Sequence, residues 1–454
     1  LKRKMVRLKS QYTVKPAEPT PNVRISLSNF DQIKPTKHVP LIYFYRTTTT
    51  TTGFSVASAI ETLRSSLSQS LVYFYPLAGR LHWSTSGGGR VELQCNAMGA
   101  RLYEAESDTT LDDFGDFRPT PDLRSLIPSV DYSTVPLHEL PLLLVQLTKF
   151  SCGGISLGLA VPLNLVDGTS AFHFISQWAR IARGEPLDII VPFLDRTVLL
   201  PPWDPPAVNH HNTFAPPPLL IGESDDKHER EKETTVTMLH LSKTHVEKLK
   251  NMANASRAAN IRPYSRFEAV AGHIWGCTCK AREHKTEQLT NLRVPVDCRH
   301  RMRPPLPQGY FGNAVLRAVA TSRSGELVTK PLGYASSRIR EAVEKITNEY
   351  VRSAVDFVEN QPKLNRFREF HSFYGNPNLE ITSWVGQPIN GADFGWGKEI
   401  YMGPGALNFD GKSFLLPAGH DGDGSLVIPL RLQVAHMESF KTFFYEGMQG
   451  RSYL

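Results

Sequence analysis

Between residues 381 and 398 the chain reads ITSWVGQPINGADFGWGK. One acidic residue, Asp393, is followed by Phe394 and Trp396, with Gly395 and Gly397 interleaved. Glycine lets backbone come close and adopt turns that other residues resist, and the aromatic rings supply packing area. A second segment, Val161 to Gly168, reads VPLNLVDG. Apolar sequence precedes it and an amphipathic pattern follows it, so it reads as a short loop between a buried strand and a helix.

Working outward from that loop, LPLLLVQLTKFSCGGISLGLAV predicts two strands around a Gly153-Gly154 turn. Thr169 to Arg183 places Phe172, Ile175, Trp178 and Ala179 on one helical face, with Gly184 ending the helix. Upstream, Ser55 to Ser70 has helical spacing and runs into LVYFYPLAGRLHW, read as a strand-like stretch broken by Pro76 and Gly79. Residues 200 to 235 turn proline-rich and then charged, the composition of a linker. Beyond it come a strand (TTVTMLHL), a helix capped by Ser242, a helix from Ser265 to Arg282 and a strand in TNLRVPVDCR. One long helix is expected over about Gly333 to Asn360, then strand-like runs alternating with turns to the end. The expectation is an α/β chain in two halves: 1–199, a crossover at 200–235, and 236–454.

The 454 residues suffice for a large core without staples, and 41% hydrophobic with 21% charged residues excludes a disordered or collagenous chain. No apolar run approaches the roughly 18 residues of a membrane-spanning helix, so no membrane partner is expected. The basic opening LKRKMVRLKSQ has no apolar core of a secretory signal, and Met5 reads as a natural start. The net charge of +7 is modest and scattered, which argues against a nucleic-acid partner. Five cysteines, an odd number, predict reduced thiols and a cytoplasmic location. Cys277 and Cys279 point to different faces of a helix and read as buried thiols, not a redox or zinc pair.

Several short patterns are decoys. Gly154-Ile155-Ser156-Leu157-Gly158 matches GxSxG, but a strand continues after it where a nucleophile elbow needs a helix. Thr85 to Arg90 (TSGGGR) lacks the lysine of a phosphate loop and reads as a hairpin turn. His420 to Ser425 (HDGDGS) lacks the closing glutamate of a calcium loop. Asn254-Ala255-Ser256 is a glycosylation sequon without a secretory context, and His210-His211 falls in the linker. No spacing suits a metal, so no metal is expected.

Taken in order, the segments resemble the plant BAHD acyl-CoA-dependent acyltransferases. Asp393 to Gly397 matches the family's DFGWG motif in full, and FYPLAGR (Phe74–Arg80) and RMRPPLPQGYFGN (Arg301–Asn313) support it. The likeness runs from about Tyr12 to Tyr445; the opening YTVKPAEPTPN and ending LQVAHMESFKTFFYE look most like spermidine hydroxycinnamoyl transferases. The resemblance implies a chloramphenicol acetyltransferase-like fold, each domain a mixed β-sheet flanked by helices. It implies a channel between the domains, acyl-CoA as cosubstrate with no covalently bound cofactor, small-molecule substrates and a monomer.

The family signature is HxxxDG, whose histidine is the general base. Here the residue four before Asp167 is Leu163, preceded by Pro162; Asp167 and Gly168 remain. Leucine cannot accept a proton, and positioned general-base catalysis is worth about 10²–10⁴-fold. The resemblance gives Asp167 a structural role, pairing with Arg301 or Arg299. It puts Thr382 and Trp384 in the reaction chamber, Tyr264 and Ser265 near the CoA nucleotide, Asn313 on the cofactor side, and Asp393 and Trp396 in support. His173, whose facing on its helix is ambiguous, reads as packing or pocket wall. The expected function is hydroxycinnamoyl transfer to a polyamine or another amine or hydroxyl acceptor, weakened at Leu163. The alternatives are a repurposed enzyme of cyclisation or rearrangement chemistry, and a non-catalytic binding paralogue or inactivated variant.

Overall fold

The computed structural model describes residues 6–46, 56–187, 190–200, 212–368, 375–418 and 422–449. Met5, His210-His211 and the His420-Asp421 start of the HDGDGS stretch lie outside them. Among the described residues the strands are β1 (Val6–Val14), β2 (Arg24–Ser26), β3 (His38–Tyr45), β4 (Arg80–Trp83), β5 (Val91–Gln94), β6 (Ala100–Ser107), β7 (Leu144–Phe150) and β8 (Ile155–Pro162). They continue with β9 (Thr234–Leu241), β10 (Leu289–Asp297), β11 (Val315–Arg323), β12 (Leu379–Ser383), β13 (Tyr401–Pro404), β14 (Lys412–Pro417) and β15 (Leu426–Gln433).

Two six-stranded mixed sheets organise the chain. The first has the order β1-β6-β7-β8-β3-β13, with β6 and β7 parallel and the other pairs antiparallel. The second has the order β11-β10-β12-β14-β15-β9, with β12 parallel to both of its neighbours. A small sheet, β2-β5-β4, holds the TSGGGR hairpin turn. Every residue of β8 is buried. Its near-continuous apolar sequence is what a strand covered on both faces requires. Ser156 sits inside it, fully buried, so the GxSxG match is no elbow.

Strand β13 comes from the second half of the chain yet pairs with β3 in the first sheet. A division at 200–235 therefore does not separate the two sheets completely. The helix Gly168–Ala182 follows the loop after β8 and buries Phe172, Ile175, Trp178 and Ala179, as its spacing predicts. Trp178 anchors one core, and Trp275, on the helix Arg266–Ala281, anchors the other. Cys277 and Cys279 are buried, and burial pushes their thiols up to about 12 and about 11.

Three expectations needed correction. The helix beginning near Ser55 runs on to Tyr73, so the Leu-Val-Tyr of LVYFY is helical, and a 3₁₀ turn at Tyr75–Ala78 precedes β4. Buried helix and buried strand share the same short apolar runs, and length alone separates them. The long helix over 333–360 is two, Leu332–Glu344 and Asn348–Glu359. Thr347 caps the second by accepting the Tyr350 amide, and an extended cap residue cannot continue the first. The C-terminal stretch is not all strand and turn: Val434–Gln449 is a helix, burying Met437, Phe440, Phe444 and Met448 at helical spacing.

Candidate active site

The loop after β8 is held by its backbone. The Leu163 amide donates to the Lys37 carbonyl at 3.0 Å. The Leu163 carbonyl accepts from Asn313 Nδ2 at 3.1 Å, and the Leu165 carbonyl from Arg196 Nη2 at 2.9 Å. Asp167 then caps the helix Gly168–Ala182 by accepting the Ser170 amide at 3.0 Å. None of these bonds uses the side chain at 163, which is half-buried.

Asp167 is paired with Arg299, not Arg301. Arg299 Nη1 and Nη2 reach the two carboxylate oxygens at 2.8 and 2.9 Å, and the Ala314 amide donates to Oδ2 at 2.9 Å. The bidentate fork fixes direction as well as distance. Arg299 also donates to Ser170 Oγ and to the Tyr310 and Gly312 carbonyls, tying the loop to the strand end before β11. Burial alone would raise the Asp167 carboxyl; the Arg299 guanidinium outweighs it and holds the group below its ordinary value. Arg301 serves elsewhere, donating to the Val343 and Ile346 carbonyls.

A second buried carboxylate, Asp31, reinforces the same frame. It closes a capping box with Ser28, accepts two bonds from Asn313 at 2.9 Å each, and pairs with Arg196. Asn313 thus links Asp31 to Leu163.

Trp384 stands across from the loop, and Thr382 lies two residues before it at the end of β12. Thr382 Oγ1 accepts from Lys412 Nζ at 2.7 Å, and Lys412 is paired with Glu380, which Arg317 holds from its other oxygen at 2.9 Å. Burial would raise the Glu380 carboxyl, but Lys412 and Arg317 lower it strongly, with Arg293 adding to them. Trp384 meets Phe172 edge-on at 5.3 Å and Phe414 at 4.7 Å. A Cβ built on Gly168 would stand 3.9 Å from the Trp384 indole nitrogen, so the loop and this strand end face each other.

The remaining expected residues lie apart from this pair of walls. Tyr264 is buried under Arg340, and Ser265 caps the helix Arg266–Ala281 in a capping box with Glu268. His173 Nε2 lies 3.1 Å from the Ile190 carbonyl, and its ring meets Phe74 edge-on at 5.5 Å. Asp393 Oδ1 accepts the Gly395 and Gly397 amides, and both glycines have positive φ, +95° and +91°. Phe394 packs on Trp178 at 4.8 Å, Trp396 on Tyr45 at 5.4 Å, and Arg183 donates to the Asp393 carbonyl. The DFGWG turn therefore clamps β3 to the far end of the loop's helix.

Sequence reasoning missed Asp31, Arg196, Glu380 and Lys412. The Ser28-x-x-Asp31 pattern was a readable capping box; the others carried no local signal. Among the described residues no group of His, Cys, Asp or Glu could hold a metal ion, and no helix is long and apolar enough to cross a membrane.

The two-sheet α/β frame carries a carboxylate-locked loop that faces Trp384, and the chain is an acyltransferase enzyme by its family and relatives. Residues 4–446 match the model of the Transferase family, and the chain belongs to that family, as a plant BAHD acyltransferase. It is 51% identical to the hydroxycinnamoyl-CoA:piscidic acid hydroxycinnamoyltransferase of Actaea racemosa, over 98% of this chain and 100% of that protein. It is 42% identical to the shikimate O-hydroxycinnamoyltransferase of Nicotiana tabacum, over 97% of this chain and 99% of that one. Among solved structures, vinorine synthase matches at a TM-score of 0.73 and 22% identity, covering 96% of both chains. TRI101 of F. graminearum, complexed with coenzyme A and T-2 mycotoxin, matches at 0.79 and 16%, covering 92% of this chain and 97% of that one. These two likenesses bear on fold alone.

Proposed function

We propose that the chain transfers a hydroxycinnamoyl group from CoA to a hydroxyl or amine of a carboxylated acceptor, without the family's histidine. The observation that carries this reading is the Asp167–Arg299 lock, supported by the Asn313 bond to the Leu163 carbonyl and by the Trp384 indole facing Gly168. Positioning and oxyanion contacts supply much of an enzyme's acceleration, and neither needs the base. In this reading Thr382 and Trp384 flank the developing oxyanion, Asn313 and Asp167 hold the loop, and Asp393 and Trp396 brace its helix. Tyr264 and Ser265 stand at the helix expected to meet the CoA nucleotide. Two units, 1–199 and 236–454, meet across a crossover at 200–235, with β13 reaching back into the first sheet.

The acceptor class follows from charge and kinship. The relatives above name piscidic acid and shikimate, both acids. Asp31, Asp167 and Glu380 are each already paired, with Arg196, Arg299, and Arg317 plus Lys412. A polyamine would find no unpaired carboxylate among these to hold its ammonium groups, and the acids that the relatives name supply the other half of the reading.

The test is to incubate the purified protein and Leu163→His with feruloyl-CoA and, separately, piscidic acid, shikimate and spermidine. Product mass and released CoA are measured. Transfer to an acid by the wild type, faster in Leu163→His, is expected. Transfer to spermidine alone would overturn the acceptor class. No transfer by either protein to any acceptor would overturn the reading in favour of a binding or repurposed role.

A further inference from the structure

Lys34 lies two residues past the short helix Asn29–Gln32, whose Asp31 joins the frame of the 163–167 loop. It is 7% exposed. Three residues on, the Lys37 carbonyl takes the Leu163 amide, so the turn that carries Lys34 leads into the backbone beside the position where the family's base stands. Among the described residues no hydrogen bond and no ion pair engages Lys34 Nζ. A buried ammonium without a partner is costly, so such a lysine tends to shed its proton.

The charged groups near Lys34 come from four elements: Asp31 beside it, Asp167 at the helix cap, Arg317 on β11 and Glu380 on β12. Each carboxylate already has its own cation. Asp297, at the edge, is shared with Arg299 and partly exposed. Lys34 is thus the cation left over. Burial first and Arg317 next bring its ammonium down to about 7, against the opposing pull of Glu380, Asp167 and Asp31.

The nearby histidines are otherwise engaged. His38 pairs across the sheet with Pro162, but Nδ1 lies 2.6 Å from the Tyr132 hydroxyl and Nε2 2.9 Å from the Pro141 carbonyl. His173 is turned to Ile190 and Phe74.

We propose that Lys34, as the neutral amine, is the general base that takes the acceptor's proton in place of Leu163. The role rests on the acyl-transfer reading above. The Nζ lone pair accepts the proton of the acceptor O–H or N–H, becoming ammonium. The freed oxygen or nitrogen pair forms a bond to the thioester carbon while the C=O π pair moves onto oxygen. That pair returns to re-form the carbonyl, the C–S bond breaks, and the CoA thiolate takes the proton back from the ammonium. The products are ester or amide, CoA thiol and neutral Lys34.

The experiment compares wild type, Lys34→Met, Lys34→Arg and Lys34→Met/Leu163→His with feruloyl-CoA and the best acid acceptor, recording kcat/KM from pH 5.5 to 9. Wild-type activity is expected to rise with pH through a midpoint near 7. Lys34→Met and Lys34→Arg should both lose about 10²-fold or more, the loss expected for an absent base. The double variant should regain activity through its imidazole, which a merely structural lysine would not permit. In parallel, the intact wild type is labelled with acetic anhydride across the same pH range and Lys34 modification read by peptide mass. A midpoint near 7 is expected; one near 10.5, the ordinary lysine value, would overturn the proposal. Undiminished transfer by Lys34→Met or Lys34→Arg would overturn Lys34 alone. No transfer by the wild type to any acid overturns the underlying reading, and this role with it.

Discussion

Arg299 holds both carboxylate oxygens of Asp167 from 132 positions further along the chain. The pair joins the loop after β8 to the residues leading into β11, so the two large sheets are locked together at the place where the chemistry is proposed.

Breaking that lock leaves an uncompensated buried charge, which typically destabilises by about 3–5 kcal/mol. Arg299→Met is therefore expected to lower the urea midpoint sharply, with Asp167→Asn milder because Arg299 keeps Asp297 as a counter-ion and the amide keeps a hydrogen-bonding shape. Equilibrium unfolding of the three proteins checks the order.

Leu163→His should leave stability nearly alone. The loop is tied through the Leu163 amide and carbonyl, not through the side chain. A change within about 1.5 kcal/mol is expected for a half-buried apolar group replaced by a ring of similar size. Thermal unfolding separates this outcome from a collapse of the loop, which would cost several times more.

Lys34 gives stability a pH dependence of known sign. Its folded pKa, about 7, lies below the ordinary 10.5. Between those values the unfolded chain binds more protons, so the contribution becomes more favourable as pH rises from 7 to 10.5. Lys34→Met should thus be the more stable protein at pH 6, by an amount on the order of a few kcal/mol. The gap should narrow towards pH 10. Parallel urea titrations at the two pH values measure it.

Ser156 is fully buried, and its hydroxyl finds no hydrogen-bond partner. Removing an unsatisfied buried hydroxyl recovers its desolvation, roughly 1 kcal/mol. Ser156→Ala is expected to be as stable as the wild type or slightly more so, with unchanged transferase activity. A loss of activity would revive a nucleophilic role for the GxSxG match.

Gly397 has φ +91° with open space around its missing Cβ. Gly397→Ala therefore suffers backbone strain without a clash, of order 1–3 kcal/mol. Because the turn braces the helix that Asp167 caps, weakened acyl transfer should accompany the lowered melting temperature.

The fold was legible where pattern and punctuation agreed. The Gly153-Gly154 hairpin, the helix from Thr169 ended by Gly184 and the Ser242-capped helix each combined apolar periodicity with a residue that starts or stops an element. It was illegible where one signal stood alone. Thr347 breaks a helix through its cap, which reads from sequence as one more polar residue on a helical face. Of the site, the DFGWG turn and the Leu163-to-Gly168 loop were visible because their residues are neighbours in the chain. Asp31, Arg196, Lys34, Glu380 and Lys412 converge only through tertiary folding. The family resemblance had left two candidate partners for Asp167, Arg301 and Arg299; only the three-dimensional route chooses between them.

The placement of β13 beside β3 sets a timetable for synthesis. Until Tyr401–Pro404 leaves the ribosome, β3 has β8 on one side and nothing on the other. At typical elongation rates of about 5–20 residues per second, that edge stays open on the order of ten seconds or more after the linker emerges. An unpaired edge strand invites pairing with another nascent chain. The first half of this protein is accordingly a poor candidate for expression as a fragment, and its natural protection arrives late, from the far end of the message.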